Sequence, residues 1–188
     1  SAMAGALALL MISGNLPLRV YASDTVEKAD TGSADASVSD FTIENGVLTA
    51  YKGESKNVVI PDGVKVIGDG SPVFGNTVES VTIPASVTEI AEMAFYGCSA
   101  LKSVTFAEGS QLKKIGESAF YTATSLETLT IPEGVTEIGT NAFYATHALR
   151  EINLPASLTT VCGGDWFGKL FTFGTTAGAP QSLSAVNF

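Results

Sequence analysis

The chain has one histidine, His147, one tryptophan, two cysteines, and ten lysines and arginines against nineteen acids in 188 residues. Each shortage excludes something. Nucleophilic triads and zinc sites need several convergent His, Cys or carboxylate groups. Here the cysteines, Cys98 and Cys162, show no CxxC or Cys/His spacing, and no GxSxG, HExxH or P-loop string occurs. The stretch GDGSPV (68–73) starts like a dinucleotide fingerprint but lacks its third glycine and a βαβ setting. We therefore expect no catalytic residue, no cofactor and no metal. A net charge of −9 lacks the basic footprint of a nucleic-acid binder or of a protein held on anionic lipid.

Long hydrophobic runs are also missing. Ala4 to Ile12, AGALALLMI, is far shorter than the roughly 20 residues that span a bilayer. It leads to Val20-Tyr21-Ala22, so residues 3–22 read as the apolar region and cleavage site of a secretory signal without its basic end. Ser1-Ala2 ahead of Met3 reads as a cloning remnant, and an ordinary core helix is the other reading of the run. Residues 1–22 are thus assigned as a signal-peptide remnant, and export is expected. Residues 23–40 hold five acids, one lysine and no aromatic residue, too little apolar surface to offset ordering entropy, and are assigned as an acidic linker.

From Phe41 onward the chain repeats itself. FTIENGVLTAYKG places alternating apolar residues on both sides of Asn45-Gly46, the strongest short-range hairpin signal, so residues 41–57 are expected to form a capping hairpin. Five coils then begin at Val58, Val81, Val104, Leu129 and Ile152, spaced by 23, 23, 25 and 23 residues. The odd spacing comes from two extra residues near Ser110-Gln111. A period in the twenties belongs to a solenoid, in which one coil cannot bury its own apolar face and neighbours must do so. Each coil opens apolar-x-x-apolar-x-apolar, as in VESVTI (78–83) and LKSVTF (101–106), the strand half of a leucine-rich repeat. Pro61, Pro84, Pro132 and Pro155 follow the strand, where a residue without a donor can end the ladder.

The remaining apolar positions read as core: Ile60, Ile83, Phe106, Ile131 and Leu154, then Val87/Ile90, Leu112/Ile115, Val135/Ile138 and Leu158/Val161. The pairs Ala94-Phe95, Ala119-Phe120 and Ala142-Phe143 are expected in short helical or 3-10 turns, their rings stacking as an interior spine that Phe74 begins. After Phe167 the pattern lapses, and residues 168–188 read as an irregular segment ending in a repeat-like strand, LSAVNF (183–188). Cys98 and Cys162 lie three coils apart, on the order of 14 Å at one strand spacing per coil, beyond the roughly 7 Å Cα limit for a disulfide. Both are expected to be free.

The phrase IPxxVTEIGxxAFYxxxxLxxVxI resembles the BspA-type leucine-rich repeats of bacterial surface proteins, over about Phe41 to Phe167. The resemblance implies an α/β repeat solenoid: a right-handed array of ~23-residue coils, one short strand and short helical turns per coil, behind a hairpin cap. It implies a secreted or cell-surface protein that takes part in adhesion to host matrix proteins or to other bacteria. No LPxTG-type sorting motif is present.

Function is then a matter of surface. Outward strand positions form two ladders: Val59, Thr82, Thr105, Thr130 and Asn153; and Ser80, Ser103, Thr128 and Glu151. In leucine-rich repeats such positions line the concave binding sheet; threonine is also simply a good strand former, which leaves a purely structural ladder open. Tyr96, Tyr121 and Tyr144 form a third ladder, either half-buried packing or an aromatic contact strip. His147 sits at a turn position where other coils carry Ser99 and Thr124, and Glu89 and Glu137 share a solvated repeat position. The sequence thus points to a non-catalytic interaction module with a protein partner, a carbohydrate-binding or spacer role being the alternative, and no nucleic acid.

Overall fold

A computed structural model describes residues 36–161 and 185–187. The stretches read as signal segment, most of the linker, Cys162 and the Gly/Thr-rich segment lie outside them. Among the described residues no helix is long and apolar enough to cross a membrane.

The array is a β-solenoid of five coils. Its first strands are β3 (Asn57–Val59), β5 (Ser80–Ile83), β7 (Ser103–Phe106), β9 (Thr128–Thr130) and β11 (Glu151–Asn153). Each coil carries a second strand of two residues: β4 (Val66–Ile67), β6 (Glu89–Ile90), β8 (Lys114–Ile115), β10 (Glu137–Ile138) and β12 (Thr160–Val161). One strand per coil was therefore an undercount. The second strand is the Val-Thr-Glu-Ile part of the repeat, and two residues are too few for alternation to show as a strand in the sequence.

Two antiparallel strands, β1 (Phe41–Glu44) and β2 (Val47–Tyr51), join across Asn45-Gly46, both at positive φ. β2 pairs in parallel with β4, so one sheet runs β1-β2-β4-β6-β8-β10-β12. The opposite face splits into two sheets, β3-β5-β7 and β9-β11-β13, the last strand being Ala185–Asn187. Ahead of β1, Val38–Asp40 forms a 3-10 turn held by Lys52 N–H donating to the Asp40 carbonyl at 2.7 Å.

The helical turns expected at Ala-Phe do not form, and the class is β rather than α/β: that 3-10 turn is the only helix of any kind among the described residues. Hydrogen bonding gives the reason. Alternate donors leave the coil: Met93, Phe95 and Gly97 N–H reach Glu117, Ala119 and Tyr121 carbonyls of the next coil at 3.0, 2.8 and 2.9 Å. Ser118, Phe120 and Thr122 repeat this onto Thr140, Ala142 and Tyr144. An α-helix would need those donors for its own i→i−4 bonds. The alternation is set by left-handed residues on either side of Ala-Phe-Tyr: Met93, Ser118 and Asn141 before it, and Gly97, Thr122 and Ala145 after it.

The core is one continuous cluster. Phe95, Phe120 and Phe143 are fully buried and stack with Phe74 at centroid separations of 4.8, 4.8 and 5.4 Å, the planes within 11°. Tyr51 and Phe41 carry the series into the hairpin in tilted contacts. Ala94, Ala119 and Ala142 are fully buried beside the rings, and Ile90, Ile115 and Ile138 below them. Gly116 and Gly139 let the coils close up. A Cβ on Gly116 would stand 2.6 Å from the Glu92 nitrogen, and one on Gly139 2.6 Å from the Gly116 carbonyl carbon. Cys98 is free and buried, its thiol near the Phe74 carbonyl and pushed up to about 12 by burial.

Candidate functional site

The ladders form with the expected register inside each half of the strand face. Val59, Thr82 and Thr105 are aligned, as are Asn57, Ser80 and Ser103. Beyond β7, Thr128 faces Glu151 and Thr130 faces Asn153. Short polar bonds run along the rows: the Ser80 hydroxyl donates to Asn57 Oδ1 at 2.8 Å, and Asn153 Nδ2 donates to Thr130 Oγ1 at 3.0 Å. Between β7 and β9 no ladder forms, so the eight candidate residues are brought together as two groups of four.

The gap sits where the repeat departs from itself. Coil 3 has Phe106-Ala107-Glu108-Gly109-Ser110-Gln111 where coil 4 has Ile131-Pro132-Glu133-Gly134. Phe106 is half-buried, whereas Ile83 and Ile131 at the same position are buried. The corners differ in their ties as well. Gly63 N–H of coil 1 donates to Ser86 Oγ of coil 2 at 3.1 Å, and the Ser86 hydroxyl donates back to the Val64 carbonyl at 2.8 Å. Gly134 and Ser157 repeat this between coils 4 and 5 at 2.9 and 2.8 Å. Among the described residues the longer corner of coil 3 has no such clamp to coil 4. Lys102 N–H reaches the Glu79 carbonyl and Arg150 N–H that of Glu127, at 2.8 and 2.9 Å, but among the described residues the equivalent bond from Glu127 N–H to the Lys102 carbonyl is not made.

The other sides of coils 3 and 4 stay closed. β8 and β10 pair through Lys114↔Glu137 and Ile115↔Ile138, and the Phe120 N–H reaches Ala142. The result is a wedge open on one face, a cleft of about 590 Å³ whose walls include Ser103, Thr105, Phe106, Glu108, Thr128 and Thr130. Ser103, Thr105, Thr128 and Thr130 are exposed, while Ser80, Thr82, Glu151 and Asn153 are half-buried. Of the eight candidate residues, those most open to a partner are therefore the four flanking the gap. Phe106 and Glu108 were not among the candidates; the signals for them were the 25-residue spacing and an aromatic residue at an aliphatic core position.

Charge follows the same division. Glu79 of coil 2 holds Lys56 at 2.9 Å and Lys102 at 2.6 Å, which lowers its carboxyl to about 2, the Lys102 hydrogen bond contributing most. Arg150 meets Glu127 at 2.6 Å between coils 4 and 5. On the strand face no ion pair joins coils 3 and 4 among the described residues. On the seven-stranded face Lys114 lies between Glu89 and Glu137, at 3.4 and 3.9 Å, so these two carboxylates are partners of one cation.

Tyr96, Tyr121 and Tyr144 stack at 5.0 and 4.8 Å with planes within 16°. Tyr96, at the end of the stack, is exposed, and the other two are half-buried. The Tyr121 hydroxyl is raised by desolvation, with Tyr144 and Tyr96 adding to it. His147 is exposed. Among the described residues no three His, Cys, Asp or Glu side chains gather as a metal site.

None of the curated proteins compared with the chain matches it. Among solved structures, a leucine rich repeat protein of T. pallidum is 26% identical with a TM-score of 0.61, the match covering 71% of this chain and 66% of that one. A leucine-rich repeat protein from Eubacterium ventriosum is 27% identical with a TM-score of 0.51, covering 64% and 36% respectively. The chain thus spans just under two-thirds of the first relative and about a third of the second. The BspA type leucine rich repeat region matches in six copies over residues 42–169. With coils of this period, a Phe spine and a repeated Ile-Pro corner on the same residues, the chain belongs to the BspA-type leucine-rich repeat family.

Proposed function

We propose that the chain is a non-catalytic interaction module, exported or exposed at a bacterial cell surface, that engages a protein partner through its strand face. A host matrix protein or another bacterial surface protein is the partner class. The observation that carries this reading is the exposed row Ser103, Thr105, Thr128 and Thr130, short polar side chains held on a fully buried core. Such residues are fixed by the scaffold and present neutral donors and acceptors over an extended surface, as solenoids do when they bind macromolecules. In this reading the β1–β2 hairpin serves as the cap that covers the apolar end of coil 1.

The test is binding of the full chain to immobilised matrix proteins, with Thr82, Thr105 and Thr130 replaced together by Lys. A loss of at least about tenfold, more than one hydrogen bond's worth, supports the strand face. Unchanged binding places the contact elsewhere and overturns it.

A further inference from the structure

We propose that the cleft between coils 3 and 4 is a saccharide subsite that takes a neutral pyranose unit of a glycan. This goes beyond the protein-binding reading and does not depend on it. The cleft gathers the hydroxyls of Ser103, Thr105 and Thr128, none of which bonds another group among the described residues, and the Glu108 carboxylate, which pairs with no cation there. Thr130 Oγ1 and Glu133 Oε1 each accept one bond, from Asn153 Nδ2 and Ala156 N–H, and keep further lone pairs. Phe106 adds a half-buried ring on the wall.

Other occupants fit less well. A peptide strand seated between β7 and β9 would need them roughly 9.6 Å apart, two strand spacings, yet their Cα atoms still approach within 8 Å. An anion would meet Glu108 and Glu133 with no lysine or arginine on the walls. A purely apolar ligand would leave the hydroxyls of Ser103, Thr105 and Thr128 without partners, which is costly once water is excluded. A pyranose satisfies both kinds of wall. Its hydroxyls donate to the carboxylates and exchange bonds with the threonines, while its C–H face packs on the Phe106 ring. The volume, about 590 Å³, lies within the usual range of ligand clefts.

The experiment is an amide-resolved NMR titration of the full chain with the methyl β-pyranosides of glucose, galactose and N-acetylglucosamine, and with a short threonine-rich peptide. Saturable shifts at Phe106, Gly109 and Thr130 with at least one saccharide, and not with the peptide, are expected. Thr128→Val should weaken that binding about tenfold, the effect of one lost hydrogen bond, and Phe106→Ile by a similar factor. Thr82→Val, on the closed part of the same face, should change it less than about twofold. Thr128→Val is isosteric at an exposed position, so its fold is preserved and its readout stands even where Phe106→Ile perturbs packing. No saturable shift at these amides with any saccharide, shifts with the peptide alone, or equal losses in Thr128→Val and Thr82→Val would each overturn the proposal. None of these readouts involves a protein partner, so failure here leaves the matrix-binding result separate.

Discussion

The two faces of the solenoid are made by the same coils, yet one sheet continues through seven strands and the other breaks in the middle. The coil strands of the unbroken face are only two residues long, but each coil is tied there several times. The residue after each strand donates to the coil before: Gly68 to Leu48, Ala91 to Ile67, Gly116 to Ile90 and Gly139 to Ile115, all at 2.8 Å. Thr88 and Thr136 add hydroxyl bonds to the Lys65 and Lys113 carbonyls. On the strand face the ladders β3–β5 and β5–β7 are longer, with three and four register pairs, but none crosses from β7 to β9. When the coil 3 corner gained length and lost its proline, the crowded face kept register and the other gave way. Between coils 3 and 4 register is kept by the two-residue strands and lost by the longer ones, beside the corner that differs.

Two phenylalanines measure this difference most strongly. Phe120 is fully buried and stacked on both sides, so Phe120→Ala should cost about 3–5 kcal/mol, the usual loss for a large buried aromatic. Phe106, half-buried beside the gap, should cost about half as much on the same change, since part of its surface already meets water. Urea unfolding monitored by circular dichroism gives both values. Equal costs would mean that Phe106 belongs to the spine and that the two faces are packed alike.

How far this was readable before folding depends on the kind of residue. The core followed from recurrence alone: Ile90, Ile115 and Ile138, or Phe95, Phe120 and Phe143, come back at one place in the period and are fully buried. The ladders followed too, because strand positions alternate and copies stack in register. What did not follow was anything set by bonds between coils. Glu89-Ile90 becomes a strand only because Val66-Ile67 and Lys114-Ile115 lie beside it. The Ala-Phe turn avoids helix because its donors leave for the next coil. The serine after Pro-Ala, a neutral corner residue by its sequence, clamps a glycine of the preceding coil. The cleft was half visible: the extra length was plain in the spacing, but which of the two faces would open was not.

A smaller effect tests the turn conformation. Gly97, Thr122 and Ala145 occupy one repeat position, at φ of 75°, 58° and 58°. A left-handed β-branched residue costs about 1–2 kcal/mol, and glycine gives back about 0.5–1 kcal/mol of that in chain entropy. Thr122→Gly should therefore stabilise the protein by about 0.5–1 kcal/mol, raising Tm by a few degrees. Its hydroxyl bonds only the Tyr121 carbonyl of the adjacent residue, so little else is lost. Gly97→Ala should move Tm the other way. If both substitutions leave Tm unchanged, the alternation of left-handed residues does not shape the turn.

The smallest effect concerns the ion pairs that run along the strand face but skip the gap. Glu79 ties coils 1, 2 and 3 through Lys56 and Lys102 and is half-buried between them. Its carboxyl falls from the ordinary 4.5 to about 2 in the folded chain. A carboxylate depressed in this way releases its proton more readily folded than unfolded, so its stabilisation is complete above about pH 4.5 and is lost as pH drops through about 2. Glu79→Gln should lower the urea midpoint slightly at neutral pH, and the difference from the parent should shrink through that acid window. Added salt should shrink it as well, because exposed charges are screened. Glu127→Gln, which removes the partner of Arg150 beyond the gap, should lower the midpoint by its own separate amount, and the double substitution should lose the sum of the two. Additivity is what two sheets without a shared ladder require; a double loss clearly different from the sum would show the halves of the strand face to be coupled across the cleft.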